Sequence, residues 1–181
     1  MLRRFVAFAA VVAGLSTSAS AWAARAASPD GWFHTGDGVM KTSVAFLKVD
    51  VFAVGHDMKC LPEHRSKADV IAIECDKRLT WRMLRDVDRD DIQDALRKAY
   101  KNVAYHDSGR IARVLAAFSH DLKEGAVVTI SYDAENHRTT FYEAHHGHVD
   151  VDGTPFMRAT WSILFANADA EELGDELIRR L

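Results

Sequence analysis

The sequence predicts an α+β fold in which helices pack against one face of an antiparallel sheet. Alternation of period two recurs in TSVAFLKVDVFAVG, AVVTISYD and RTTFYEAHH, whereas apolar stripes of period 3.6 mark DDIQDALRKAYKN and the C-terminal segments. Strands and helices also follow one another without a strict strand-helix-strand repeat. The run from Leu79 to Tyr100 changes from one period to the other within a single stretch, so it sets a strand, a helix start and a shared core together.

The N-terminus reads as a secretory leader. MLRR supplies a charged start, FVAFAAVVAGL an apolar segment well short of the roughly 18 to 20 residues that span a bilayer, and Ala21-Trp22-Ala23 a small-x-small cleavage site. Cleavage after Ala23 makes residues 1–23 a signal peptide, 24–30 a flexible lead-in and 31–181 one domain, in a periplasmic or secreted protein. About 150 residues suffice for a single core. With 48% hydrophobic and 27% charged residues, a net charge of -3 and three prolines, neither disorder nor a nucleic-acid surface is expected. No transmembrane segment follows the leader.

Within the domain, Trp32 and Phe33 read as a short strand, HTGDGV as a turn or bulge, and TSVAFLKVDVFAVG as one long strand. Ala45, Leu47, Val49, Val51 and Ala53 form its uniformly apolar side and are assigned to the core; Val44, Phe46, Lys48, Asp50 and Phe52 form the mixed side. Ser66 caps a short helix through Glu74, and DKRLTWRMLRD returns as a strand with Leu79, Trp81 and Met83 on one face. Asp88 is placed as cap of the next helix, whose apolar stripe is Ile92, Ala95, Leu96, Ala99 and Tyr100. A packing helix spans Ser108 to Leu122, strands and a hairpin follow, and HVDVDG completes a meander. Two terminal helices place Phe156, Ala159, Ile163 and Leu164 in the core.

Cys60 and Cys75 admit two readings, a disulfide closing a short loop or two separate thiols; their spacing fits no zinc or CxxC motif. His145, His146 and His148 in HHGH offer a metal pair, His146 with His148, that lacks a visible third ligand, so a polar loop or strand end is the simpler reading. Ser131 and Ser162 have no nucleophile-elbow context, and no P-loop or dinucleotide fingerprint calls for a cofactor. Trp81 and Trp161 read as core anchors, while Tyr100 and Tyr105 are candidates to point a hydroxyl into a cleft.

The GDGV turn entering AFLKVDVFAV, the junction RMLRDVDRDDIQDAL, the KEGAVVTISYD hairpin and the terminal FMRATWSILFAN together resemble the chalcone isomerase-like family of exported bacterial proteins over almost the whole mature chain. The resemblance implies an open-faced β-sandwich, a large antiparallel sheet with helices on one face and a ligand cleft between them. Relatives divide into isomerases that close a chalcone to a flavanone and non-catalytic members, some of which bind fatty acids. The isomerase site must hold a bent aromatic substrate and stabilise an oxyanion.

In the family an arginine after the glycine turn serves the anionic ligand; here Met40 takes that place, followed by Lys41, which brings positive charge without a bidentate fork. The tyrosine and asparagine expected at the junction helix are absent from DVDRDD and IQDALRK, and Asp86, Asp88, Asp90 and Asp91 read best as a cap and a solvated first turn. Three functions follow. The first is a non-catalytic protein holding a small amphipathic molecule such as a fatty acid, with Lys41 near its acidic end and Met40, Arg85, Tyr100 and Thr160 as further ligand contacts. The second is an isomerase without an identified acid-base group, and the third a domain that binds another envelope protein.

Overall fold

The computed structural model describes residues 27–44, 47–144 and 146–181; the leader, its cleavage site, the start of the lead-in, Ala45, Phe46 and His145 lie outside them. The described residues form six strands, β1 (Phe33–Val44), β2 (Leu47–Met58), β3 (Lys77–Met83), β4 (Val127–Asp133), β5 (Arg138–Glu143) and β6 (Gly147–Asp152), paired antiparallel in sequence order. Five helices accompany them: α1 (Lys67–Ala72), α2 (Arg89–Asn102), α3 (Ser108–Ala117), α4 (Thr154–Phe165) and α5 (Glu171–Leu177), with a 3-10 turn at Ala168–Ala170. The architecture is an α+β open sheet with one helical layer.

Register converts alternation into a core. Side chains opposite one another across the sheet form rows, Met58-Lys77-Tyr132-Thr139-Val151 and His56-Leu79-Ile130-Phe141-Val149, followed by Val54-Trp81-Val128-Glu143. Against these rows α4 lays Phe156, Trp161 and Leu164, all buried. Removing each such side chain from water contributes about 1.5–3 kcal/mol. Lys77 is the one charged member of its row: it is wholly buried, yet its ammonium donates to the carbonyls of Val70, Ile71 and Ile73 at 2.7, 3.3 and 3.0 Å, closing the C-terminal turn of α1. Burial, helped by the nearby Arg158 charge and opposed by Glu74, pushes its pKa down to about 7.

Several expectations are corrected. The stretch from Thr42 to Gly55 is not one strand: β1 ends at Val44 and β2, antiparallel to it, begins at Leu47; of the two readings of HTGDGV the turn fails and the bulge fits, because β1 runs through it with a register shift between His34 and Gly36. The core side of β2 is also the opposite one: Phe52, Val54, His56 and Met58 are buried, while Val51 and Ala53 are only partly covered. His56 and Met58, beyond the apparent strand, carry that parity, and Val51, beside the register shift against β1, is partly buried against the core. The strand RTTFYEAHH stops at Glu143. The helix drawn to Leu122 stops at Ala117, and Leu122 pairs instead with Val87. Asp88 stands at the N-cap of α2 but makes no capping bond; Asp121 supplies it, accepting from the Arg89 amide at 3.0 Å. Ser66 does cap α1, accepting from Ala68 and Asp69. Leu79, Trp81 and Met83 do share a buried face, as do Phe156, Ala159, Ile163 and Leu164.

The glycines of GDG are explained by contact. A β-carbon on Gly36 would lie 2.2 Å from the Glu176 carbonyl oxygen, and one on Gly38 would lie 2.5 Å from the Leu173 side chain, so α5 rests directly on β1. Gly36→Ala is expected to lower stability by about 1–3 kcal/mol through overpacking. Gly109→Ala, where the nearest atom would be 3.5 Å away within α3, should be neutral or stabilising by up to about 1 kcal/mol. Urea unfolding midpoints of the two variants check the contrast.

Candidate functional site

The middle of the space between sheet and helices is filled by buried side chains, among them Tyr100, Phe156 and Trp161. At its centre the Trp161 indole donates to His56 Nε2 at 3.0 Å, which leaves Nδ1 to carry the proton and donate to Thr35 Oγ1 at 2.6 Å; the Thr35 hydroxyl then donates to the Leu177 carbonyl at 2.8 Å. Beside it the Tyr100 hydroxyl meets Thr160 Oγ1 at 3.1 Å, and Thr160 donates to the Phe156 carbonyl at 3.0 Å. Burial raises the Tyr100 phenol above its ordinary range, since a phenolate there would lose its water.

Open space lies at the sheet edge and between helices. Where α2 passes β1, a groove of about 420 Å³ is walled by Met40, Ala95 and Ala99 and rimmed by Lys41, Lys98 and Asn102. The register of β1 on β2 slips between Met40 and Lys41, leaving Val51 without a strand partner, and both residues border the groove. Asp169 is its one acidic group, and it is already engaged by Lys98 at 3.4 Å and by the Asn102 amide at 3.3 Å. Lys41 forms no ion pair among the described residues.

On the other side of Lys41 a second groove, of about 410 Å³, is rimmed by Glu171, Glu172 and Glu176 as well as Asp169, against Lys41 and Lys48. Its acidic surplus disfavours an anion. A third and shallower depression lies between α2 and α3, beside Lys101, Tyr105, Ile111 and Leu115.

The predicted residues therefore separate. Met40 and Lys41 meet at the first groove. Tyr100 and Thr160 are bonded to each other in the interior, and Arg85 is exposed on the loop after β3, bordering none of these grooves. Tyr105 packs its ring on Tyr100 and Phe156, and its buried hydroxyl has no hydrogen-bond partner. Trp81 and Trp161 are buried anchors, Trp81 stacked on Phe52. Cys60 and Cys75 are bridged, with Cα atoms 6.2 Å apart. Asp86 accepts from the Glu124 amide, and Asp90 pairs with Arg89. His148 is exposed and approaches Asp150 at 3.9 Å, while His146 stacks on His120 instead. Sequence reasoning missed His56, Thr35, Asn102, His120 and Glu143. Continuing the inward parity Thr139, Phe141 by one step finds Glu143; the others are brought in by tertiary contacts that no local period encodes.

Residues 46–177 match the family described as chalcone isomerase-like. The chain belongs to the chalcone isomerase-like family. The crystal structure of a fatty-acid binding protein from Arabidopsis thaliana is similar, with a TM-score of 0.67 at 14% identity, covering 84% of this chain and 89% of that one. No curated protein matches the sequence. The chalcone isomerase-like fold thus accounts for the sheet and its helical layer. Among the described residues no helix is long and apolar enough to cross a membrane.

The buried relay has a pH signature. Desolvation, with repulsion from Lys77 and His34, pushes the His56 pKa down to about 3, against about 6.5 in the unfolded chain. Below about pH 6.5 the unfolded chain binds a proton that folded His56 refuses, so stability is full above that pH and falls as pH drops towards 3, by about 1.4 kcal/mol per unit. His34 works in the opposite sense: burial lowers its pKa, but the Asp37 and Asp57 carboxylates outweigh this and raise it, giving stability lost as pH rises. The difference between wild type and His56→Gln in urea midpoints at pH 7, 6 and 5 should isolate the His56 slope.

Proposed function

We propose that this protein is an exported, non-catalytic member of its family that binds a small amphipathic molecule with an anionic head, such as a fatty acid, in the groove beside Met40 and Lys41. The observation that carries the reading is the Lys41 ammonium, free of any ion pair among the described residues, beside a wall of Met40, Ala95 and Ala99. Such a groove offers an acyl chain apolar contact and its carboxylate a cation, with Lys98 and the Asn102 amide next to it. The fold shared with the Arabidopsis fatty-acid binding protein supports this ligand class. The non-catalytic reading is supported by Tyr100, whose hydroxyl is buried and held by Thr160, and by Met40 standing where an isomerase carries arginine. The charged, apolar and small-x-small segments of residues 1–23 and the Cys60–Cys75 bridge support export to an oxidising compartment.

Titration of the delipidated protein with laurate and palmitate by calorimetry is expected to give one site. Lys41→Ala should weaken it about tenfold, the value of one charge-assisted hydrogen bond, and Ala99→Trp should abolish it by filling the groove. Lys48→Ala, confined to the acidic groove, should change nothing. Loss of binding in Leu115→Trp with Ala99→Trp intact would move the ligand between α2 and α3 and overturn the assignment.

The intact mass of protein recovered from the envelope tests export separately: it should correspond to a chain starting at Ala24 with no free thiol. A chain retaining Met1 would refute cleavage.

A further inference from the structure

At the opposite edge of the sheet, a carboxylate stands on the buried face. Glu143, the last residue of β5, falls in the row of Val54, Trp81 and Val128, and its side chain is only 12% exposed. Its Oε2 is buried and accepts no hydrogen bond. Facing it is His120, from the loop after α3, whose two ring nitrogens are likewise buried and unbonded. His120 Nε2 approaches Glu143 Oε2 to 2.7 Å without hydrogen-bond alignment. From the turn after β5, His146 brings its Nε2 within 4.0 Å of the same oxygen and stacks on the His120 ring, with centroids 3.2 Å apart and planes 19° from parallel. One donor atom from each of the three residues lies within 4.8 Å of the others.

Polar atoms left unbonded in a protein interior cost about 1–3 kcal/mol each. A neutral imidazole has one nitrogen lone pair, and neither ring nitrogen of His120 is engaged in a hydrogen bond, so that lone pair is available to the space beside the carboxylate. A shared cation resolves both demands. Two nitrogens and one oxygen are the donors preferred by zinc-class ions; calcium and magnesium seek oxygen alone. Bonds of roughly 2.0–2.2 Å in a tetrahedron set donor atoms about 3.3 Å apart, within the spread seen here.

We propose that His120, Glu143 and His146 form a binding site for one divalent transition-metal ion of the zinc class. Three protein ligands leave a fourth position for water or an exogenous donor. Glu143 and His146 also line a small pocket of about 50 Å³ walled by Phe118, Leu122, Val128 and Phe141, which limits that donor to a few atoms.

The test uses the tag-free mature chain, stripped with chelator and titrated with Zn²⁺ by calorimetry, with Co²⁺ absorption as a second readout. One equivalent of Zn²⁺ is expected, with a rise in melting temperature and a tetrahedral Co²⁺ spectrum. Glu143→Gln, nearly isosteric, and His146→Ala, in an exposed turn, should each weaken Zn²⁺ binding by more than the roughly 10–100-fold that second-shell changes cost. His148→Ala should leave it unchanged. Wild type that is folded by circular dichroism yet binds no Zn²⁺ overturns the site. So does binding that survives His146→Ala and Glu143→Gln but is lost in His148→Ala.

Discussion

The fold hangs on one chain of hydrogen bonds, from the Trp161 indole through His56 and Thr35 to the Leu177 carbonyl. It joins α4, β2, β1 and α5, four elements from opposite ends of the sequence, through atoms that are all buried. The indole fixes the imidazole in a single tautomer, and the threonine hydroxyl donates to the Leu177 carbonyl at 2.8 Å with the His56 carbonyl as a second acceptor at 3.2 Å. Hydrophobic contact between sheet and helices tolerates small slides; a directional polar chain does not, and it sets where α4 and α5 sit. Those positions in turn determine which parts of the interface are filled and which remain open at the edge.

That filling separates this chain from the picture of a deep cleft between sheet and helices. Trp161, Tyr100 and Phe156 occupy the middle of the layer, and the two hydroxyls best suited to orient a ligand, Tyr100 and Thr160, satisfy each other. Accessible chemistry is displaced to the rims: lysines and amides beside β1, imidazoles and a carboxylate beside β5. The rims differ in kind. The first is wide and lined by flexible cations, suited to a chain-like molecule with an anionic end; the second is narrow and lined by hard and borderline donors.

Much of this was legible in the sequence, for identifiable reasons. The strand at Leu79, Trp81 and Met83 and the helix carrying Ile92, Leu96 and Tyr100 were readable because local period and burial agree. The family resemblance placed Met40 and Lys41 in the right neighbourhood without showing that α2 would wall a groove there. The core parity of β2 is hard to read because a polar residue, His56, occupies an inward position that the alternation rule reserves for apolar ones. Such a residue looks misplaced until its partners, 21 and 105 residues away, are known. The histidine cluster was half read for the same reason: His146 was visible in HHGH, but His120 and Glu143 reach it only through the packing of α3 against β5 and β6.

The seating of α5 on β1 bears on how the chain comes to be folded. Thr35 and Leu177 are 142 residues apart, and Gly36 accepts the last helix so closely that no side chain fits between. β1 therefore stays uncovered on this side until α5 has been made, and chains without α5 lack that contact. An uncovered edge strand invites pairing with a neighbour. A chain lacking α5 would leave the glycine-lined part of β1 open, so shielding of that strand rests on a contact 142 residues distant in sequence.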